Sequence, residues 1–362
     1  MNFSAIDTAH MAQALRLAAR GLYTTQPNPR VGCVIAHGEQ IVGQGWHERA
    51  GQPHAEVFAL REAAEHARGA TAYVTLEPCA HHGRTPPCAD ALVAAGVGRV
   101  VIAAEDPFPQ VAGRGIGKLQ AAGITVESGL MRDAARELNI GFFSRIERQR
   151  PWVRVKLAMS LDGRTALANG ASAWITGEAA RADVQRWRAR SSAILSGSGT
   201  VLADNPRLTV RLADDPFMPP LRVVLDRQLR TPAGSHVLDG EVPTLVLHAP
   251  TAKKIDGRFD RVECIAVEER NQSLDLHAVL HLLAERGCNE LHVEAGPTLC
   301  GALFAAGLAD ELLLYVAPLL LGDAARPLLQ LPTLTDMAER WSLRTLDQRQ
   351  VGSDWRLQMR PA

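Results

Sequence analysis

The N-terminal part of the chain alternates two apolar patterns. In one, apolar positions recur every three or four residues, which predicts helices. In the other, short runs are apolar throughout or at alternate positions, which predicts strands. Met11, Leu15 and Ala18 define one face of a first helix, capped by Asp7-Thr8, reaching Arg20 and stopped by Gly21. Strands are predicted over Val31–Ala36 and Gln40–Trp46, joined by a His37-Gly38 turn. A helix over Ala55–Ala67 ends at Gly69, and a strand over Ala70–Leu76 follows. Pro86–Ala95 reads as a helix with proline at its start and Gly96 at its end. Arg99–Ala104 reads as a strand, Gly115–Ala122 as a helix and Ile124–Glu127 as a last strand. Helices set between strands predict a sheet covered on both faces.

The pattern breaks at Ser144–Pro151 (SRIERQRP), a polar, charged run closed by proline. We read it as the boundary between a domain over 1–147 and one over 151–362. Beyond it, strands are predicted over Val153–Leu157, Ala193–Ser196, Leu221–Leu225, Thr244–His248, Cys264–Ala266, Glu290–Glu294 and Glu311–Ala317. Helices are predicted over Ala179–Arg190, Leu274–Arg286 and Thr298–Ala306, and a closing hairpin over Trp341–Gln348 and Trp355–Met359. The longest apolar run, Leu312–Leu321, is broken by Pro318 and reads as a buried strand. A spanning helix needs roughly 20 apolar residues.

A length of 362 residues suits two domains. Lys plus Arg (39) equals Asp plus Glu (39), which counts against a nucleic-acid partner. It leaves room for a small phosphorylated substrate, which needs only one or two placed cations. Met1–His10 lacks a basic stretch followed by an apolar run, so a cytoplasmic protein without a membrane partner is expected. The six cysteines form no dense framework and are expected to be thiols or metal ligands.

The chemistry concentrates in His54-Ala55-Glu56 and in Pro78-Cys79 with Cys88 nine positions later. A catalytic zinc takes three protein ligands and keeps a fourth position for water. His54, Cys79 and Cys88 supply that set, and Glu56 stands close enough to move the water's proton without ligating the metal. His54 and Cys88 are both placed in first helical turns, where partial positive charge favours a thiolate. A closed structural zinc site would need a fourth protein ligand, for which only His81 and His82 are at hand.

This arrangement resembles the cytidine-deaminase-like superfamily, whose signature is H-x-E with P-C-x-x-C. Here eight residues (AHHGRTPP) separate the cysteines instead of two. That longer insert is similar to the riboflavin-pathway deaminases, as are Asn28-Pro29-Arg30-Val31-Gly32, Asp106-Pro107 and Gly113-Arg114-Gly115. The resemblance implies a three-layer αβα domain and the substrate 2,5-diamino-6-ribosylamino-4(3H)-pyrimidinone 5′-phosphate. It further implies Asn28 on a pyrimidine edge, His47 and Arg84 toward the ribose phosphate, and Asp106 beside them. Asn28 is equally well a turn residue; the alternative for His47 and Arg84 is a solvated surface, with Arg84 the stronger functional candidate because it lies in the insert between Cys79 and Cys88. Phe108 stands where the family pattern has Asn.

In the second domain three segments stand out: Lys156 to Gly163, Ser198 to Pro206 and Val293 to Leu299. The third joins a strand, a glycine turn and a helix start, which is an anion-binding arrangement. Together the three resemble the reductase domain that is fused to riboflavin deaminases, an αβ domain of the dihydrofolate-reductase-like fold. The resemblance implies NADPH, with Ala158, Trp174, Thr200 and Asp204 lining it. It places Gly296, Pro297, Thr298, Leu299, Cys300, Gly301 and Ala302 along the cofactor as well. Ser172, Arg188, Leu208, Arg211 and Glu294 are implied to face the substrate, the two arginines meeting its phosphate. Asp204 is the proton-handling candidate with Lys156 behind it, and Arg227 is placed to meet the 2′-phosphate. Plain core packing remains open for Trp174, and a solvated helix face for Arg188. The leading function is a bifunctional deaminase and reductase that forms a dimer or tetramer. The alternative is a zinc deaminase with a non-catalytic C-terminal domain.

Overall fold

Ser4 starts the first helix, α1 (Ala5–Ala19), ahead of the expected Asp7-Thr8 cap. Its hydroxyl accepts from the Asp7 N–H (3.0 Å) while its own N–H donates to the Asp7 carboxylate (2.9 Å), a reciprocal capping box. Then follow β1 (Gly32–His37), β2 (Gln40–Trp46), α2 (Ala55–Ala63), β3 (Thr71–Leu76) and α3 (Cys88–Ala95). After these come β4 (Arg99–Ala104), α4 (Arg114–Ala121) and β5 (Thr125–Ser128). Two further helices, α5 (Arg132–Leu138) and α6 (Ile140–Arg148), complete the first of two units, Met1–Arg148 and Gln149–Ala362. The computed structural model describes residues 3–80, 87–108, 112–213, 215–253 and 256–362.

In the first unit a five-stranded sheet runs in the order β2-β1-β3-β4-β5. β1 is antiparallel to β2 and β3, and β3, β4 and β5 are parallel. Alternate strand residues face opposite ways. Cys33, Ile35, Ala72, Val74, Val100 and Ile102 pack with α2, α3 and α4. Val34, Ala36, Tyr73, Val101 and Ala103 pack with α1, α5 and α6. The result is a three-layer αβα unit. Ser144–Arg148, expected as part of a linker, is instead the end of α6. Phe142 and Phe143 on that helix are buried against the sheet, so its charged residues form only the outer face of an amphipathic helix.

The second unit is built on a nine-stranded sheet. Its strands are β6 (Trp152–Ser160), β7 (Ala193–Gly197), β8 (Leu221–Leu225), β9 (Thr244–His248) and β10 (Glu263–Ala266). They continue with β11 (Glu290–Val293), β12 (Glu311–Ala317), β13 (Leu343–Val351) and β14 (Asp354–Pro361). The order is β10-β9-β8-β7-β11-β6-β12-β14-β13, parallel except where β14 pairs with β12 and β13. Helices α7 (Glu178–Ala189) and α8 (Ser198–Asp204) lie on one face. Helices α9 (Leu276–Glu285) and α10 (Pro297–Ala305) lie on the other. The Ser198–Asp204 segment, expected as a loop, is thus a short helix. Beneath α7 the sheet carries a buried charged row in which Arg154 bridges Glu290 (3.0 Å) and Glu311 (2.5 Å). No helix among the described residues is long and apolar enough to cross a membrane.

Candidate active sites

Two helix starts and the end of β3 meet in the first unit. His54 is the N-cap of α2 and Cys88 the first residue of α3, while Cys79 follows β3 after Glu77-Pro78. His54 Nδ1 stands 3.2 Å from Cys88 Sγ and 3.6 Å from Cys79 Sγ. The three donor atoms lie within 4.8 Å of one another. Tetrahedral zinc with Zn–N near 2.0 Å and Zn–S near 2.3 Å needs donors about 3.3–3.8 Å apart, so the set fits zinc. The Cys88 thiol hydrogen-bonds Cys79, which holds Cys79 down at about 4 and pushes Cys88 up. Glu56, on the first turn of α2, is buried, and burial raises its carboxyl above the ordinary value. Its Oε2 has no hydrogen-bond partner among the described residues.

A cavity of about 600 Å³ opens over this group, lined by Asn28, His47, Asp106 and Phe108 among others. His47 is 2% exposed, so it is no solvated surface residue. Its Nδ1–H donates to the Pro53 carbonyl (3.1 Å) and its Nε2 accepts from the Asn28 amide (3.1 Å). Burial pushes its pKa down. With both nitrogens engaged within the fold, His47 orients Asn28. Arg84, the other expected phosphate contact, lies outside the described residues. Phe108, at the usual Asn position, puts an apolar edge in the wall, and its N–H is held by Asp106 Oδ1 (2.8 Å).

Four contributors went unread in the sequence. Phe142, Arg145 and Ile146 of α6 line the cavity, and Arg145 brings a guanidinium to it. Glu77, 4% exposed, accepts from the N–H groups of Asp106 (3.4 Å), Gly113 (3.1 Å), Gly115 (2.9 Å) and Ile116 (3.2 Å). It thereby pins the start of α4 beside the zinc-ligand loop. A side chain at position 115 would meet the Pro78 carbonyl at 2.0 Å, so only glycine permits this approach. A carboxylate directly before Pro78-Cys79, at the end of an apolar strand, was the available signal.

In the second unit a cavity of about 1130 Å³ runs over the C-terminal ends of the parallel strands. Lys156, Ala158, Ser172, Thr200, Asp204, Arg227 and Glu294 line it, with Gly296, Pro297, Thr298, Leu299 and Ala302 at the head of α10. Gly199 also lines it, and a Cβ there would meet nothing within 4 Å. This leaves backbone open to a ligand at a helix-rimmed cleft, which fits a dinucleotide. Cys300 and Gly301 turn away from the cavity. The Cys300 thiol donates to the Ala295 carbonyl, and position 301 abuts the Gln330 backbone, where a Cβ would come within 2.0 Å. Trp174 does not line the cavity or belong to the core; it is 75% exposed, with Arg181 4.7 Å from its ring centre. Leu208 is buried in the cluster around Val201 and Val224. Arg211 is exposed, its N–H donating to Gln185 (2.9 Å).

Arg188 sits on α7 and is no solvated face residue: it grips the Glu294 carboxylate with two bonds of 2.5 and 2.7 Å. Burial would raise Glu294, but the guanidinium holds it well below the usual carboxylate range. Burial pushes the Lys156 ammonium below its ordinary value, against the pull of Glu294.

Fold and site together define a cytidine-deaminase-like zinc domain followed by a reductase-like αβ domain. Residues 4–104 match the cytidine and deoxycytidylate deaminase zinc-binding region, and 151–357 match the RibD C-terminal domain. The chain belongs to the RibD family of riboflavin biosynthesis proteins and carries both the deaminase and the reductase domain. It is 50% identical to the riboflavin biosynthesis protein RibD of Escherichia coli, over 96% of this chain and 97% of that one. The Acinetobacter baumannii RibD structure superposes with a TM-score of 0.92 at 46% identity, covering 99% of each chain. A diaminohydroxyphosphoribosylaminopyrimidine deaminase/5-amino-6-(5-phosphoribosylamino)uracil reductase from Thermotoga maritima gives 0.88 at 32% identity, again over 99% of each.

Proposed function

We propose that the first unit deaminates 2,5-diamino-6-ribosylamino-4(3H)-pyrimidinone 5′-phosphate, with zinc held by His54, Cys79 and Cys88. We propose that the second then reduces the ribosyl group of the product to ribityl with NADPH. The carrying observation is the donor set within 4.8 Å beside a buried Glu56 with an unpartnered Oε2. Zinc bound there supplies an acidified water at neutral pH. Glu56 would accept one proton of that water and pass it to the ring nitrogen, then carry the remaining hydroxyl proton to the amine, which leaves as ammonia. Asn28, held by His47, meets the pyrimidine edge. Arg145 supplies the cation that His47 does not, so it takes the phosphate contact along this wall.

NADPH supplies hydride to the sugar C1′. The chain's part is to orient the two ligands and deliver one proton. Lys156 suits that delivery better than Asp204: it lines the cavity with a depressed pKa, whereas Asp204 is exposed at the end of α8. Glu294, fully engaged by Arg188, orients rather than donates. We also infer a cytoplasmic homo-oligomer, which sedimentation of the full chain tests.

Mass spectrometry of the product, with zinc-loaded protein, tests the whole reading. A gain of about one mass unit without NADPH (amine replaced by oxygen) and a further gain of about two with it (hydride plus proton) are expected. The first gain alone leaves a deaminase with a silent partner domain. No gain with zinc bound refutes the substrate.

A further inference from the structure

We propose that Arg230 and Arg270 form the subsite for the adenosine 2′-phosphate and so select NADPH over NADH. This rests on the reading of the second unit as a dinucleotide-dependent reductase. Its reacting end is marked by Lys156 on β6 and Glu294 after β11. At the far end the cavity is walled by Leu225 and Arg227 at the end of β8 and by a hairpin, Glu269–Arg270 paired with Ser273–Leu274. In the sheet, β8 lies three strand steps from β6. Adjacent strands are about 4.8 Å apart, which puts roughly 14 Å between the two ends. That is the reach of an extended dinucleotide from its nicotinamide to its adenosine.

Arg227 itself is already neutralised. Its Nη1 lies 2.9 Å from Glu269 Oε1, an ion pair that fastens the hairpin to the segment following β8. Arg230, three residues on, and Arg270, next to Glu269, both line the cavity with exposed side chains. Neither has an ion-pair partner among the described residues. Glu269 is paired with Arg227, and Asp275 caps α9 by accepting from the His277 N–H (2.9 Å). Asn271, Gln272 and Ser273 add neutral hydrogen-bonding groups at the same rim. Two unpaired guanidinia at the adenosine end match a dianion, and the 2′-phosphate is the only group that distinguishes NADPH from NADH. The ion pair between Arg227 and Glu269 therefore builds the subsite by holding its two arms together, and Arg227 is not the reader.

Calorimetric titration of the full chain, with adenosine 2′,5′-bisphosphate against AMP and NADPH against NADH, tests this without turnover. Wild-type protein is expected to favour the 2′-phosphorylated member of each pair. The double variant Arg230→Ala/Arg270→Ala is expected to lose about ten-fold or more in affinity for that member. Its affinity for AMP and NADH should change by less than about two-fold, which also shows that the mutated unit is folded. An unchanged preference in the double variant overturns the proposal. So does an equal loss for both members, or a loss confined to Arg227→Ala. Wild-type protein that binds NADH as tightly as NADPH also overturns it while leaving the reductase reading in place. Wild-type protein that binds neither dinucleotide removes both.

Discussion

Glu77→Gln removes one negative charge and turns one acceptor oxygen into a donor, with almost no change in shape. In the native site Oε1 accepts from Gly115 (2.9 Å) and Ile116 (3.2 Å), and Oε2 from Gly113 (3.1 Å) and, at long range, Asp106 (3.4 Å). Glutamine keeps the first pair at neutral strength and sets its NH₂ against the second. At 4% exposure no water replaces the lost acceptor. A hydrogen bond to a charged group contributes about 1.5–3 kcal/mol and a buried orphan costs about 1–3 kcal/mol, so a total near 2–4 kcal/mol is expected. For a unit of this size each kcal/mol moves the melting point by about 2–4 °C, giving a fall of roughly 5–15 °C in the first unit's transition. Differential scanning calorimetry of the full chain, followed by separate deaminase and reductase assays, measures this. Deamination should fall with the loosened start of α4 while reduction at lower temperature holds. A variant that melts within about 1 °C of wild type would show that backbone N–H groups at this helix start do not need the carboxylate.

Glu56→Gln is expected to retain zinc by elemental analysis while deamination drops about 10²–10⁴-fold, and full activity would remove it from proton transfer. Arg145→Ala should raise KM for the phosphorylated pyrimidine about ten-fold and leave the dephosphorylated analogue unaffected; equal effects on both would place the phosphate elsewhere. Lys156→Met should cut reduction about 10²–10⁴-fold and spare deamination. In wild-type protein the donor form of Lys156 is the ammonium, present below its pKa. Because burial lowers that pKa, kcat of reduction should decline as pH rises through a value below the ordinary lysine figure of about 10.4. A flat profile up to that figure, or one that Lys156→Arg leaves unmoved, would exclude the lysine as donor.

Most of the first unit's fold and the grouping of His54, Cys79 and Cys88 were legible in the sequence, because both rest on local signals. Arg99–Ala104 and Gln40–Trp46 are bounded as the apolar pattern drew them, since turn residues flank each run. His54 and Cys88 stand at helix starts that proline announces. What escaped depends on partners distant in the chain. α6 reads as a charged linker until the sheet face that buries Phe142 and Phe143 is known. With it escaped the cavity wall around Arg145. Ser198–Asp204 holds glycine and serine, poor helix formers, and packing through Val201 secures it. His47 looks like a surface cation because nothing nearby in the chain reveals that Asn28 and Pro53 occupy both its nitrogens. Ser4, by contrast, was readable: Ser-x-x-Asp is a capping box in plain sequence.

The two sites treat their buried carboxylates in opposite ways, and the contrast separates their roles. Glu294 lies between Arg188, which binds both its oxygens, and His292, whose Nε2 is 3.1 Å from Oε1. Ionisation there is compensated within the fold, and adding a proton would break a bidentate pair, so the group is suited to fix geometry and unsuited to exchange protons. For Glu56 burial outweighs the opposing pull of His54 and Cys88, and Oε2 stays without a partner among the described residues. An uncompensated buried oxygen costs stability that packing alone does not return. It is retained to advantage only where a ligand or water supplies the missing bond during the reaction. In the second unit desolvation lowers Lys156 against the pull of Glu294, which suits it to the proton delivery proposed above. The proposed proton carriers, Glu56 in one unit and Lys156 in the other, are therefore groups that burial moves away from their ordinary charge state.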